Sequence, residues 1–202
     1  MASLTPLAFA ALGLLNEAPM HPYEMFQLML QRREDENVKV RPGTLYHQIG
    51  RLVDLGYAEP LGTERSGNRP ERTTYAITDH GRDALESGLR RMVAEPADEY
   101  PEFHLALSHV DNLSDHDAVT ALRARADAIR ARLAGYAEAA TGLQAKGLAT
   151  RYWLDVSYVR AMLTAQLEWL TATAERIERG DVPWDGPALD TDTEPNSKEP
   201  TR

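Results

Sequence analysis

Arg41-Pro42-Gly43-Thr44-Leu45-Tyr46-His47-Gln48-Ile49-Gly50-Arg51-Leu52-Val53-Asp54-Leu55-Gly56-Tyr57 decides how the chain is read. Proline belongs in the first turn of a helix, where its missing N–H would have had no partner, and Gly56 fits the left-handed position that ends one. The stretch therefore predicts a helix over 41–57. Leu45, Ile49 and Leu52 are spaced i, i+4, i+7 and form an apolar face. Thr44, His47, Gln48 and Arg51 are assigned to the opposite face. Hydroxyl, imidazole, amide and guanidinium groups without a carboxylate among them are the side-chain types that read base edges and hold phosphates.

Upstream, Leu4, Leu7, Ala11, Leu14 and Leu15 make one apolar stripe, so Leu4 to Asn16 reads as a helix buried on one side. Ala18-Pro19 breaks it. A second helix starts near His21-Pro22-Tyr23-Glu24, with Met25, Leu28 and Met29 continuing its apolar face. Downstream of Gly56 the period shortens. Residues 57–63 and 72–77 flank the turn-forming run Glu64-Arg65-Ser66-Gly67-Asn68-Arg69-Pro70, which predicts a β-hairpin with a basic tip. Thr78 can cap a fourth helix over about 79–93, with Ala84, Leu85, Leu89 and Met92 inward. Three helices, a hairpin and a further helix make a winged helix-turn-helix, whose third helix enters the major groove while the hairpin flanks it.

Composition excludes several other classes. The 202 residues suit one mid-sized domain or two small ones. No run approaches the roughly 20 apolar residues needed to span a bilayer. The first residues lack the basic segment of a signal peptide, and there is no cysteine for a disulfide or a thiolate metal site. A cytoplasmic protein without membrane, metal or cofactor is expected. No Gly-x-Ser-x-Gly, phosphate-binding glycine loop or His-Glu-x-x-His is present, so no enzyme is expected. His104, His109 and Asp111 have no clean metal-ligand spacing.

The net charge of −9 is unevenly distributed. Residues 1–92 carry 11 basic and 12 acidic side chains, and residues 93–202 carry 11 and 19. Residues 38–72 hold six basic residues, Lys39, Arg41, Arg51, Arg65, Arg69 and Arg72, against four acidic ones. The bias is modest, so DNA binding needs two copies of the chain or is strongly salt-sensitive.

Beyond residue 94 the pattern is helical. Glu95 to Pro101 reads as a linker and Glu102 to Val110 as a short helix. Ser114, with Asp117 three residues on, caps a long helix bearing Leu122, Ala126, Ile129, Leu133 and Tyr136. After a turn over 142–150, a second long helix runs to Arg179. Val156, Leu163, Leu170 and Ile177 recur every seven residues along it, an apolar seam suited to a partner chain. The last residues are rich in Pro, Asp, Thr, Glu and Gly, and read as a disordered tail.

The first half resembles the PadR family of transcriptional regulators. The resemblance rests on His21-Pro22-Tyr23-Glu24, Gly43-Thr44-Leu45-Tyr46, Leu52-x-x-x-Gly56-Tyr57 and Arg69-Pro70-x-Arg72-x-x-Tyr75-x-x-Thr78, followed by Gly81 and Leu85. Glu102-Phe103-x-x-Ala106-Leu107 and Glu168-Trp169-Leu170 extend it to the longer-tailed members. Glu64 and Glu71 beside the hairpin arginines are a departure that weakens the expected wing contacts. The resemblance implies a mainly α protein, with a winged helix-turn-helix and two-stranded wing over 1–93, a helical dimerisation and effector domain over 94–182, and the tail over 183–202. It implies a homodimeric repressor released from operator DNA by a small aromatic or hydrophobic ligand. An adaptor that binds protein through its winged helix is the alternative. Expected DNA contacts are Arg41, Thr44, Tyr46, His47, Gln48, Arg51, Arg65, Arg69 and Arg72. Dimer contacts are Val156, Leu163, Leu170 and Ile177, and the candidate ligand residues are Phe103, Tyr152, Trp153 and Trp169.

Overall fold

The computed structural model describes residues 4–64 and 72–184. The chain divides into two compact units, Met1–Glu99 and Tyr100–Arg202. The division falls within the segment read as a linker.

The first unit is built on three helices, α1 (Pro6–Glu17), α2 (Pro22–Gln31) and α3 (Pro42–Asp54). Each opens with proline. The Thr5 hydroxyl caps α1 by accepting from the Ala8 N–H. His21 and Glu24 form a reciprocal box at α2: His21 Nδ1 accepts from the Tyr23 N–H, and Glu24 Oε2 accepts from the His21 N–H. Gly56 ends α3 at φ +70°, and the Tyr57 N–H closes onto the Leu52 carbonyl at 2.8 Å. Strand β1 (Ala58–Glu64) pairs antiparallel with β2 (Arg72–Ile77), from Ala58 opposite Ile77 to Glu64 opposite Arg72, with an irregularity between Pro60 and Gly62. Met20 bridges Tyr75 on the free side of β2, tying the hairpin to the α1–α2 connection.

Helix α4 (Asp79–Ala94) is capped by Thr78, whose hydroxyl accepts from the Gly81 N–H and donates to the Gly56 carbonyl. Gly81 lies so close to β1 that an added Cβ would come within 2.1 Å of the Tyr57 carbonyl oxygen. Gly88 similarly makes room for the Phe9 ring. Leu7, Leu12, Leu15, Met25, Met29, Leu45, Ile49, Leu52 and Leu85 form the core. Leu89 and Met92, expected inward, are about half exposed. Leu89 lies one turn and Met92 two turns beyond Leu85, the last buried residue of α4, so the apolar stripe of α4 outruns the core of the first unit.

The second unit is a helical hairpin. A short helix, α5 (Glu102–Leu107), precedes α6 (Asp115–Ala145), whose cap is the Ser114 hydroxyl accepting from the Asp117 N–H. Gly147, at φ +67°, ends α6, so Gly142 lies inside the helix and not in the turn. After one 3-10 turn at Thr150–Tyr152, α7 runs Leu154–Glu178. Leu122, Ala126 and Ile129 of α6 meet Leu163, Leu170, Ala174 and Ile177 of α7 in one buried cluster. This corrects the dimer assignment: Leu163, Leu170 and Ile177 are buried inside the protomer and Val156 is half-buried. A seven-residue repeat shows that a face is apolar without showing which helix covers it, and here the covering helix is α6.

Trp184, assigned to the tail, is packed in the second unit. Val182 and Trp184 pack on the hairpin cluster, and the Trp184 indole N–H donates to the Leu113 carbonyl at 2.8 Å. The remainder, 185–202, lies outside the described residues. No described helix is long and apolar enough to cross a membrane.

Candidate nucleic-acid interface

The first unit presents α3 beside a two-stranded hairpin. Leu45, Ile49 and Leu52 fix the orientation of α3 by inserting into the core. Residues three apart on a helix differ by about 60° around the axis, and residues four apart by about 40°. Gln48 stands at those offsets from Leu45 and Leu52, so it flanks the buried stripe. It is only 7% exposed, and its Oε1 accepts the Thr5 hydroxyl at 2.7 Å. The assignment of Gln48 to the outward face is corrected accordingly.

The outward face consists of Gly43, His47, Gly50 and Asp54, with Thr44 and Arg51 on one margin and Tyr46 on the other; all seven are exposed. No heavy atom lies within 4 Å of a Cβ placed at Gly43 or Gly50. Glycine inside a helix costs roughly 0.5–1 kcal/mol relative to alanine, and no packing within the protein requires it here. The strip is open to a close-approaching partner. Sequence reading passed over Asp54 and the two glycines, although a helical projection of 42–54 puts them beside His47.

Charge is arranged to match. Arg32 and Arg33 pair with Glu17 and Glu36, and Arg82 and Arg90 pair with Asp79 and Glu86. Lys39, Arg41 and Arg51 at α3, and Arg72 on the hairpin, are exposed and have no ion pair among the described residues. Arg91 on α4 is likewise unpaired. An unpaired exposed guanidinium is free to meet phosphate or a guanine edge without first breaking a salt bridge. Arg65 and Arg69 lie outside the described residues.

Tyr46 meets the His21 ring edge-on, with centroids 5.9 Å apart and the planes at 75°. His21 is buried, and burial followed by the nearby Arg72 charge holds its imidazole below the usual pKa, with Glu24 opposing the shift. The ring accepts the Tyr23 N–H through Nδ1 and is therefore neutral at that nitrogen.

The four aromatic residues assigned to a ligand site do not come together. Phe103 and Trp169 meet edge to face at 6.3 Å, with the Arg125 guanidinium 3.8 Å from the Phe103 ring centroid. Trp153 is buried at the foot of α7 and donates to the Leu148 carbonyl, while Tyr152 is exposed beneath Arg151. Sixteen residues of helix, about 24 Å, separate Trp153 from Trp169. Trp153 caps the hairpin turn and is excluded from any site with Phe103.

Residues 11–87 match the model of the transcriptional regulator PadR-like family. No curated protein matches the chain. Among solved structures, Bacillus subtilis PadR in complex with operator DNA is 20% identical, covers 86% of this chain and 99% of its own, and superposes with a TM-score of 0.74. The same protein in complex with p-coumaric acid gives 20%, 85%, 98% and 0.71. The Vibrio cholerae virulence activator AphA gives 18%, 87%, 98% and 0.59. The family model spans the winged helix, residues 11–87, and the fold shared with these solved structures extends through the helical hairpin.

Proposed function

We propose that the protein acts as a homodimer that represses transcription by binding operator DNA, and that a small aromatic ligand releases it. The observation that carries the DNA reading is the outward strip of α3, free of packing demands and bordered by Arg41 and Arg51, which like Arg72 on the hairpin have no ion pair among the described residues. Thr44, His47, Arg51 and Asp54 are the base-edge candidates, with arginine suited to guanine and a carboxylate suited to the cytosine amino group. Tyr46, Arg41 and Arg72 are the backbone candidates, as are Arg65 and Arg69, which lie outside the described residues. A similar fold has been solved with operator DNA bound in B. subtilis PadR.

The second copy is assigned to the outward side of α7. Leu154, Tyr158, Met162 and Trp169 follow one another by four, four and seven residues and are 46–66% exposed. Leu154 and Tyr158 lie across the helix from Leu163, and Met162 and Trp169 stand about 100° round from Leu163 and Leu170. Two apolar faces on one helix give one side to α6 and leave the other for a partner. For the ligand, the candidates are Phe103 and Trp169, with Arg125 beside them to attract an acid group; p-coumaric acid, bound by B. subtilis PadR, is the first probe.

The test is a shift assay and reporter measurement on the DNA upstream of the protein's own gene, with and without p-coumaric acid. Binding with lowered reporter output, reversed by the acid, supports the reading. Raised output would instead assign activation, the role named for AphA. No binding at low salt would favour a protein-binding adaptor.

A further inference from the structure

We infer that Phe103 is a built-in occupant of the seat between Arg125 and Trp169, and that an aryl carboxylate acts by taking its place and freeing α5. This rests on the small-ligand reading above and adds how such a ligand would be felt by the rest of the chain.

The Arg125 guanidinium lies over the Phe103 ring, 3.8 Å from its centroid, and Trp169 meets the same ring edge to face at 6.3 Å and 83°. The Nε of Arg125 is buried and makes no hydrogen bond, and the side chain has no ion pair among the described residues. A ring face attracts a guanidinium but offers its N–H groups no lone pair. A buried donor left in that state is costly. A carboxylate supplies two acceptors that match the guanidinium fork. An aryl carboxylate can therefore place its ring against Trp169 and its oxygens on Arg125, whereas Phe103 does only the first. Trp169 is 46% exposed, so the cluster is reached from solvent.

The element that carries Phe103 is lightly held. Helix α5 has six residues, none of them buried, and no side-chain cap at Pro101. Phe103 and Leu107 are its residues that pack on the hairpin cluster. A helix so short does not hold itself together in water, and elements with few buried contacts open at low cost. The chain is firmer where α6 begins, because the Trp184 indole N–H holds the Leu113 carbonyl. Losing the Phe103 contact would thus loosen α5 and leave the hairpin in place. Since α5 is the first element after the junction of the two units, the free run of chain between them would lengthen. In the proposed dimer, a longer free connection lowers the effective concentration at which the second winged unit meets its half-site.

The experiment uses the full-length chain and three probes. Benzoate carries both ring and charge, benzamide keeps the ring and loses the charge, and cyclohexanecarboxylate keeps the charge and loses the aromatic ring. By calorimetry, benzoate should bind about tenfold more tightly than either analogue. Removing an internal competitor raises ligand affinity by the factor that the closed state imposed, so Phe103→Ala should bind benzoate about five- to tenfold more tightly than the wild type. Phe103→Leu, which keeps apolar packing, should shift the same way by less. Arg125→Gln should lose the benzoate preference. Arg160, whose Nε is also buried without a partner, stands nine residues and about 14 Å along α7 from Trp169, and Arg160→Gln should keep it. In hydrogen exchange on the wild type, α5 amides should exchange faster with benzoate bound, a readout that depends on no variant folding. Weaker binding by both Phe103 variants, or slower α5 exchange with benzoate bound, would make Phe103 an ordinary lining residue: the ligand reading would stand and the inference would be overturned. If no probe binds the wild type or Phe103→Ala, the ligand site falls and the inference with it.

Discussion

Gly50 and Gly81 carry the same side chain for opposite reasons. An added Cβ at Gly81 would strike the Tyr57 carbonyl at 2.1 Å, so Gly81→Ala must push α4 off β1. A loss of about 1–3 kcal/mol or more is expected in chemical denaturation. At Gly50 the space is empty and the backbone is helical. Gly50→Ala should therefore stabilise the fold by roughly 0.5–1 kcal/mol, while weakening DNA binding by crowding the strip. If the melting temperature rises and affinity is unchanged, the strip is not where DNA approaches. His21 supplies a pH test. Its folded-state pKa is lowered from the ordinary 6.5, so the unfolded chain binds the proton more readily than the folded one. Stability contributed by the neutral ring is complete above pH 6.5 and is lost as the pH falls through the depressed folded value. Denaturation midpoints should drop over that window. His21→Asn, which keeps a capping acceptor, should drop less; an equal drop would show that other groups carry the effect.

At the scale of elements, boundaries were more legible than faces. Pro42 and Gly56 mark α3 because each acts on its own backbone, and Thr78 and Ser114 mark α4 and α6 through local hydrogen bonds. Gln48 was misplaced because its burial depends on Thr5, 43 residues away, and not on its own helix alone. Leu89 and Met92 were misplaced because a periodic stripe does not report where the opposing layer stops. The seam of α7 was read correctly as apolar and assigned to the wrong neighbour, since α6 carries a stripe of matching length. Trp184 escaped notice because an isolated indole after Val182-Pro183 has no period to reveal it. The corrected seam changes the mutational expectation. Leu170, fully buried, should cost about 2–5 kcal/mol as Leu170→Ala, through a cavity between α6 and α7. That loss is to be measured on the stability of the helical unit and is not a specific test of dimerisation.

For the whole molecule, oligomeric state and DNA binding are linked through the proposed outward face of α7. Tyr158→Asp, at a position 66% exposed, should leave helix content and melting nearly unchanged while sedimentation shifts from dimer to monomer. A variant that remains a tight dimer would move the interface away from Leu154, Tyr158, Met162 and Trp169. The monomer should also lose operator affinity, because the first unit holds few unpaired cations and one copy alone makes few phosphate contacts. The second half of the chain holds most of the net negative charge, so binding depends on the placement of Arg41, Arg51 and Arg72 and not on overall attraction. The measurement closest to the central claim is binding of Arg51→Ala to a selected operator duplex and to a scrambled duplex over a salt series. Arg51 is exposed, outside the core and without an ion pair among the described residues. If α3 reads DNA, the operator loses roughly 1–3 kcal/mol more than the scrambled duplex, with the fold intact. An unchanged ratio between the two would contradict the assignment of α3 as the reading helix.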